Sequence, residues 1–447
     1  MSEVFSLGEV VRPNRPRVKP ELMPDAPFIG MEHVEAHTMK LLGTVPAASM
    51  KSSAIHFKPG DVLYGRLRPY LNKVFRPTFE GLCSAEFIVF PENERIDGRY
   101  LQYFLNSGAF VRFATHLNAG DRPRVDFDQI APYKIPVPSL ARQREIVAEL
   151  EKQFSRLDEA VANLQRVKAN LKRYKASVLK AAVEGRLVET EATQARREGR
   201  IYETGEQLLQ RILEERRAKG AGKGKYKEPE LPQVDGLNPL PEGWVYANTE
   251  QMCEQVASGS TPSPEAMFAG AGDVPFLKVY NLTFDGSLDF TVKPTFVDSA
   301  THQGMLARSR SIPGDVLMNI VGPPLGKVSI VPPTHPQWNI NQAIVTFRTS
   351  AGLVNRLLTH WLLAQPVLSR LERTAKATAG QSNLQVSTCR KLPIPVPPLS
   401  EQTRIVAEVD RHLSIVREVE AEVDTNLKRA QALRQATLRS CFQSKSS

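Results

Sequence analysis

A long internal repeat constrains this chain more than any other feature. The stretch from Ile135 to Glu149 reads IPVPSLARQREIVAE, and the stretch from Ile394 to Glu408 reads IPVPPLSEQTRIVAE. The two stretches keep a constant offset of 259 residues (394 − 135), without a gap, as far as Leu179 and Leu438. Solenoid and propeller repeats recur every 20 to 50 residues or so. The duplicated object is therefore a whole domain together with its connecting helix.

Each copy of the repeat opens onto a long helix with a coiled-coil seam. Neither proline nor glycine occurs from Leu140 to Val183, and apolar residues recur at alternating spacings of three and four from Val147 to Leu164. Beyond Leu164 the apolar positions continue at Val167, Leu171, Tyr174 and Val178, after one shift of the heptad register. A similar pattern runs from Val406 to Leu433. Another chain or the other copy would serve as partner for such a seam. Because the other copy is the nearest equivalent surface, we predict an intramolecular antiparallel pair.

The remaining sequence consists of two globular regions and a linker. The globular regions carry short β-branched runs bounded by turn signals, such as Phe87–Phe90 and Ala343–Phe347. They are distant copies, since Pro59–Val74 aligns with Pro313–Val328 at an offset of 254 (313 − 59). We predict an α+β fold of two mixed α/β domains in tandem with pseudo-two-fold internal symmetry. The predicted division is a first domain at 1–134, a helix at 135–187, a linker with one short helix at 188–240, a second domain at 241–393 and a second helix at 394–447.

Composition and cysteine spacing indicate the kind of partner and the cell compartment to expect. Lysine and arginine outnumber aspartate and glutamate by 58 to 48, which favours a polyanionic partner without identifying it. The four cysteines, Cys83, Cys253, Cys389 and Cys441, lie far apart and predict reduced thiols rather than a zinc site or a disulfide framework. The sequence shows no basic-then-apolar leader and no apolar run long enough for a membrane helix. We therefore expect a cytoplasmic protein.

Three motifs together resemble a known family. They are the duplicated Ile-Pro-Val-Pro-x-Leu-x-x-Gln, the helix end from Leu179 to Leu187, and the Leu240-Pro241-Glu242-Gly243-Trp244 opening of the second globular region. All three are similar to the specificity (S) subunit of type I restriction-modification enzymes, over nearly the whole chain. The resemblance implies two target-recognition domains that each read one half of a bipartite, asymmetric DNA target, held apart by the two helices.

The same resemblance implies the partners and cofactors. The expected partners are double-stranded DNA, two modification (methyltransferase) subunits and two restriction (translocase and nuclease) subunits. S-adenosylmethionine, ATP and Mg would be bound by those partner subunits and not by this chain. The first copy departs from the family pattern at Ser139, Ala141 and Arg142, and the first half lacks the Leu-Pro-x-Gly-Trp opening. We therefore expect a first recognition domain that is shortened at its edge.

The sequence does not match three motifs that would indicate catalysis or metal binding. Asn238-Pro239-Leu240-Pro241 lacks the aromatic of the tetrapeptide that holds a flipped adenine in methyltransferases. The Gly220–Lys225 tract lacks the GxxxxGK[ST] pattern and a preceding strand, which favours a flexible linker. His33, Glu35 and His37 lack the HExxH spacing of a zinc site. The chain is predicted not to be an enzyme.

Candidate DNA contacts lie where the two globular copies disagree while their flanks agree. Arginine and lysine contact phosphates and guanine edges, and asparagine and glutamine contact adenine edges. In the first region the segment after a predicted strand supplies Arg66, Arg68, Tyr70, Asn72 and Lys73. The aligned segment of the second region supplies Asn319 and Lys327.

Further candidates precede the two proline runs or surround a tryptophan. They are Asn118, Arg122 and Arg124 in the first half, and Trp338, Asn339, Asn341, Gln342, Lys376, Gln381, Ser382 and Asn383 in the second. For any single residue a variable, solvated loop explains the pattern as well as DNA contact does, and Trp338 also fits a structural role. The competing function for the whole chain is a non-catalytic coiled-coil scaffold whose globular domains bind proteins.

Overall fold

The computed structural model describes residues 3–13, 16–220, 227–379 and 383–442. For Gly220 and residues 376–379 it describes the backbone alone. Contacts divide the chain into two compact units. Unit 1 comprises Met1–Val167 and Glu422–Ser447, and unit 2 comprises Lys168–Ala421. Each unit thus contains one globular region and parts of both long helices.

Unit 1 is built from short strands followed by helices. Its strands are β1 (Glu3–Ser6), β2 (Arg17–Val18), β3 (Pro27–Ile29), β4 (Val45–Pro46), β5 (Ala54–Phe57), β6 (Val62–Gly65), β7 (Val74–Phe75), β8 (Gly81–Ser84), β9 (Phe87–Phe90) and β10 (Lys134–Val137). Its helices are α1 (Leu7–Val10), α2 (Gly98–Asn106), α3 (Gly108–His116), α4 (Phe127–Ile130) and the first part of α5 (Leu140–Val183). The sheets have the strand orders β2-β5-β8-β3-β4, β7-β6-β9 and β1-β10.

Unit 2 repeats this arrangement with additions. It contains the end of α5, then α6 (Glu191–Glu198), α7 (Gly205–Gly220), α8 (Thr249–Met252), α9 (Ser299–Gln303), α10 (Asn355–Leu363), α11 (Gln365–Ala379), α12 (Val386–Arg390) and most of α13 (Leu399–Phe442). Its strands are β11 (Val245–Asn248), β12 (Cys253–Ser258), β13 (Phe268–Ala269), β14 (Val274–Leu277), β15 (Thr295–Val297), β16 (Arg310–Ser311), β17 (Val316–Asn319), β18 (Val328–Ile330), β19 (Trp338–Ile340), β20 (Ile344–Thr349) and β21 (Pro393–Val396). The sheets have the orders β13-β15-β14-β19-β16, β12-β20-β17-β18 and β11-β21.

Equivalent strands pair in the same way in both units. In unit 1 the parallel pair β3 and β8 aligns Phe28 with Leu82. In unit 2 the parallel pair β14 and β19 aligns Phe276 with Asn339. Every other pairing of named strands in the described ranges is antiparallel. The predicted α+β class and the internal duplication are confirmed.

The duplicated Pro-Gly-Asp stretch shows why some residues recur in both copies. Gly60 and Gly314 have φ angles of +94° and +91°, a conformation that glycine adopts without steric cost. The aspartate that follows accepts a backbone N–H at 2.9 Å in each copy, from Lys58 to Asp61 and from Ile312 to Asp315. The glycine and the aspartate of the motif thus take the same positions in the turn before the next strand in both copies.

The two long helices pair within each unit. In unit 1, Arg434 of α13 donates to Asp158 of α5 at 2.7 Å and lies over the ring of Phe154, 4.3 Å from its centroid. Leu150 packs in the same buried cluster as Leu438. In unit 2, the Tyr174 hydroxyl of α5 lies 2.6 Å from His412 Nδ1 of α13. Later residues of α5 thus meet earlier residues of α13, and the predicted antiparallel pairing is confirmed.

The glutamine of the repeated motif joins each helix to its globular region. Gln143 accepts from the Asp97 amide at 2.8 Å and donates to the carbonyls of Arg95 and Pro138 at 3.2 and 2.8 Å. Gln402 makes the same three bonds, to Val354 N at 2.9 Å, Gly352 O at 2.9 Å and Pro397 O at 3.1 Å. Both side chains are buried. The motif therefore fixes the start of each helix against the loop that precedes α2 or α10.

The fold differs from the sequence predictions in two respects. The seam is interrupted, because Val167 and Leu433 are exposed. The segment between the halves has two helices, α6 and α7, rather than one short helix. Four apolar side chains of α7 pack into the core of unit 2, namely Leu208, Leu209, Ile212 and Leu213. This packing ties the helical part of the segment to unit 2. Of the predicted flexible tract, residues 221–225 lie outside the described residues.

Candidate DNA interface

Two candidate segments of unit 1 lie side by side. The Arg68 amide donates to the Pro123 carbonyl at 2.7 Å, and the Val125 amide donates to the Arg66 carbonyl at 3.1 Å. Leu67 and Arg124 form an isolated antiparallel bridge between the two segments. We call residues 66–73 and 118–124 the unit 1 loop pair. The structure therefore brings together candidates that are about 50 residues apart in the sequence.

The cations of the unit 1 loop pair differ in their partners. Arg66 forms an ion pair with Asp126, and Arg124 forms a bidentate pair with Glu86 at 3.1 and 2.6 Å. Arg122 is exposed. Arg68 is half-buried at a positive φ of 52°. Arg66 and Arg124 are thus each paired with a carboxylate of the same unit.

Three other candidates of the unit 1 loop pair make hydrogen bonds within the fold. Asn72 is buried and donates to the Asn106 carbonyl at 3.1 Å. Lys73 donates to the Met31 carbonyl at 2.5 Å. Asn118 donates to the Arg124 carbonyl and exchanges amide bonds with Gln129 at 3.0 and 3.2 Å. Tyr70, by contrast, is exposed.

The corresponding segments of unit 2 meet in the same way. The Leu384 amide donates to the Ile320 carbonyl at 2.8 Å, and Val321 bridges to Asn383. Val321 and Asn383 correspond to Leu67 and Arg124 by the offsets of 254 and 259 residues (321 − 67 and 383 − 124). We call residues 319–327 and 383–384 the unit 2 loop pair. Both units thus share one backbone junction with different side chains on it.

Two candidates of the unit 2 loop pair hold the loop in place. Asn319 is buried, donates to the carbonyls of Val321 and Pro324 at 3.0 and 2.9 Å, and accepts from the Lys327 amide at 2.9 Å. The Lys327 ammonium donates to the Val279 carbonyl at 3.2 Å. Lys327 and Val279 correspond to Lys73 and Met31 of unit 1, so the two lysines make equivalent bonds. Lysine at this position is a shared anchor of the fold.

The amides around the tryptophan divide into buried and exposed members. Trp338 and Asn339 are fully buried. The Trp338 indole donates to the His335 carbonyl at 3.2 Å, and Asn339 lies 2.6 Å from His302 Nδ1 and donates to the Leu306 carbonyl at 3.2 Å. Asn341 is half-buried and Gln342 is exposed. The latter two remain candidates at the surface.

Four of the predicted contacts are therefore corrected. Asn72, Asn319, Trp338 and Asn339 are at most 2% exposed and bonded within the fold. A side chain without accessible surface has no face to offer to a base edge. Lys376 lies on α11 but its side chain is outside the described part of the structure, and Gln381 and Ser382 lie outside the described residues.

Two features near the candidate residues were not predicted from the sequence. Asp126 and Glu86 are the acids paired with Arg66 and Arg124, and lie 60 and 38 residues away along the chain. In unit 2, Gly259 approaches the sheet so closely that a Cβ would lie 2.0 Å from the Ile340 carbonyl oxygen. The Ser-Gly-Ser-Thr-Pro stretch around that glycine is a turn signal that was available in the sequence.

The curated relatives that match this chain include two specificity subunits of type I restriction enzymes from Escherichia coli. The EcoDI subunit is 30% identical over 214 residues, which cover 46% of this chain and 46% of that protein. The EcoBI subunit is 22% identical over 312 residues, covering 69% of this chain and 57% of that protein. The matched stretches thus span about half the length of these relatives. The model of the family described as type I restriction modification DNA specificity domain matches residues 2–172 and 241–428.

The chain belongs to the type I restriction modification DNA specificity family. The match covers both globular regions, and the resemblance read from the motifs is confirmed. The curated relatives are specificity subunits, which agrees with the prediction that this chain is not an enzyme.

Two solved structures share the fold of this specificity family member. One chain, from a study of complex assembly and conformational transition of the type I R-M system, has a TM-score of 0.69 at 19% identity, covering 99% of this chain and 97% of that one. The HsdS subunit from Thermoanaerobacter tengcongensis has a TM-score of 0.52 at 19% identity, covering 98% and 96%.

Burial raises the pKa of the Cys389 thiol to about 12 and also raises the pKa values of Cys83 and Cys253. No group of three or more His, Cys, Asp or Glu in the described ranges is arranged to hold a metal. Among the same residues, no helix is long and apolar enough to cross a membrane.

Proposed function

We propose that this chain is a specificity subunit that reads a bipartite, asymmetric DNA target, with unit 1 reading one half-sequence and unit 2 reading the other. The observation that carries the proposal is the duplicated junction. Leu67 meets Arg124 and Val321 meets Asn383 through equivalent bridges, while the neighbouring side chains differ. Two loops that share a backbone and differ in side chains suit the reading of two different sequences.

The proposed DNA contacts are the accessible members of the predicted set. In unit 1 they are Arg66, Arg68, Tyr70, Asn118, Arg122 and Arg124. In unit 2 they are Asn341, Gln342 and Asn383, with Lys376, Gln381 and Ser382 retained on sequence grounds. The arginines suit guanine edges and phosphates, and the amides suit adenine edges. Lys73 and Lys327 are assigned to anchoring the loops instead of reading DNA.

The predicted domain division gives each part a role in this proposal. Residues 1–134 and 241–393 are the two target-recognition domains, residues 135–187 and 394–447 are the spacer helices, and 188–240 is the linker. A pair of rigid helices that separates two reading domains sets the length of the unread DNA between the half-sequences.

Type I systems of this family give the proposed partners. We infer that the chain carries two modification subunits, which hold S-adenosylmethionine, and two restriction subunits, which use ATP and Mg. We also infer that this assembly works in the cytoplasm. The net charge of +10 supports binding to DNA but does not distinguish specific from nonspecific binding.

The test is base-resolution methylation mapping of a host that carries this chain with its modification subunit. We expect one bipartite motif with two different halves and an unread spacer of constant length. Active modification subunits without any bipartite motif would contradict the proposal. In that case a salt series on the purified chain separates the alternatives, because a protein-binding scaffold has no steep loss of DNA affinity with salt.

A further inference from the structure

Unit 1 has a shallow groove whose counterpart in unit 2 is constructed differently. The groove is lined by Phe113, Pro132, Tyr133 and Lys134, and we call it the aromatic groove. The Phe113 and Tyr133 ring centroids are 4.5 Å apart with an interplanar angle of 34°. Both rings are half-buried, whereas Pro132 and Lys134 are exposed. The aromatic groove thus presents apolar ring surface beside a cation.

The counterpart in unit 2 is buried at the same positions. By the offset of 259 residues, Leu392 and Pro393 stand where unit 1 has Tyr133 and Lys134. Both Leu392 and Pro393 are buried, and they line a pocket whose further wall is the segment 237–240. We call residues 237–240 the covering segment.

The covering segment is held by its own polar contacts. Asn238 donates to Glu184 at 3.3 Å, and the Tyr246 hydroxyl donates to the Asn238 carbonyl at 2.8 Å. Leu237 and Leu240 are half-buried on either side of Asn238 and Pro239. In unit 2 the Leu-Asn-Pro-Leu segment therefore lies across the pocket from the positions that are open in unit 1.

We propose that the aromatic groove binds an extended, proline-containing, acidic segment of a partner polypeptide. Aromatic-lined grooves bind such segments because proline fixes the extended conformation before binding. The acidic character follows from the cations: Lys134 lines the groove, and Arg112 is exposed beside Phe113 on α3. The covering segment itself is flanked by Asp235 and Glu242, so it combines both properties.

The Arg112 charge also affects the pKa of Tyr133. Burial raises the pKa of Tyr133, and the Arg112 guanidinium opposes that rise. Arg112 is therefore close enough to influence the ring that would receive a proline. This inference concerns a protein partner and stands apart from the proposed reading of DNA by the loop pairs.

The probe is a fluorescein-labelled peptide of residues 235–242 of this chain (DGLNPLPE), titrated with the full-length protein and followed by fluorescence polarisation. We expect saturable binding of one peptide per chain. Lys134→Glu and Phe113→Leu should each weaken binding about tenfold, the usual effect of altering a central aromatic or charged contact. A peptide with lysine at both acidic positions should weaken by a similar factor.

Phe268→Leu serves as the matched control, because Phe268 is an exposed aromatic of unit 2. It should leave peptide affinity unchanged. Lys134 is exposed, so its variant tests the groove even where Phe113→Leu perturbs folding, which urea unfolding would detect. The proposal is overturned by no binding at millimolar peptide, by binding that neither variant weakens, or by equal displacement with duplex DNA, which would place these cations in the DNA interface.

Discussion

The two loop pairs are the most informative comparison in this molecule. Their backbone junctions coincide, and their lysines, Lys73 and Lys327, bond equivalent carbonyls. Around these shared anchors unit 1 carries arginines, whereas unit 2 carries amides and apolar residues. The lysines that agree between the copies hold the loops in place. Of the residues that disagree, some lie at the accessible surface, as Arg122 does, and others close a loop, as Asn72 and Asn319 do. Agreement between internal copies is thus a guide to structural roles within a single sequence.

A second difference between the copies explains two departures from the family motif together. Glu401 accepts from the Trp244 indole at 3.0 Å and from the Glu191 amide at 2.8 Å. Its counterpart in the first copy is Arg142, which is exposed and pairs with Glu145 at 2.8 Å. The first half also lacks the tryptophan motif. Because the glutamate and the tryptophan form one contact, the loss of one partner accompanies the loss of the other.

Changing the helices should alter the separation of the two reading regions without altering either region. We expect a seven-residue insertion after Leu164, matched by one after Asn426, to lengthen the pair by about 10 Å, or about three base pairs. The variant should lose the original target and methylate the same two half-sequences with a longer spacer, as read by methylation mapping. Altered half-sequences would show that the helices do not act as a spacer.

Removing the repeated glutamines tests whether both copies use the same joint. Gln143→Leu and Gln402→Leu each leave a buried amide and two carbonyls without a partner, and should lower the free energy of unfolding by about 3 kcal/mol in urea titrations. Gln153→Leu is the control, since Gln153 is exposed on the same helix as Gln143. If either variant lost no more unfolding free energy than the control, the two glutamines would not have equivalent roles.

The lysine anchors should give smaller and matched effects. Lys73→Met and Lys327→Met each remove one bond to a backbone carbonyl, and we expect each to cost about 1 kcal/mol of unfolding free energy. Urea titration measures the cost, and methylation mapping should show unchanged half-sequences. A changed base preference without a loss of stability would show that these lysines contact DNA instead of anchoring the loops.

The smallest expected effect on stability comes from the exposed residues. Arg122→Ala in unit 1 and Gln342→Ala in unit 2 should shift the free energy of unfolding by less than about 0.5 kcal/mol, as for other exposed side chains. Thermal or urea unfolding of both variants checks this. A larger loss of unfolding free energy in either variant would show that the residue has a structural role. That residue would then no longer be a candidate DNA contact.

The sequence carried the long-range organisation of this fold because repeats and helical periodicity are visible along the chain. The pairing of α5 with α13 and the duplicated strand–turn motifs followed from residues such as Val147, Val406 and Gly60. The interruption of the seam at Val167 and Leu433 did not, since exposure depends on which helix face the partner covers.

The position of the candidate DNA interface could be predicted from the sequence, but only some of its residues could be. The loop segments were identified from disagreement between the copies, but an asparagine that reads DNA and one that closes a loop look alike in sequence. Asn319 and Asn339 are of the second kind, because their amides bond backbone carbonyls inside the fold. The carboxylate partners of Arg66 and Arg124 were not visible either, since tertiary folding brings them near.

Methylation mapping of Arg122→Ala and Gln342→Ala beside the parent chain tests the central claim most directly. Each variant should relax base preference at one position or more, by about 1 to 3 kcal/mol of discrimination per lost base contact. The account predicts that Arg122→Ala changes one half-sequence, that Gln342→Ala changes the other, and that the spacer is constant in both. A change in the same half by both variants, or no change by either, would contradict the assignment of one reading region to each unit.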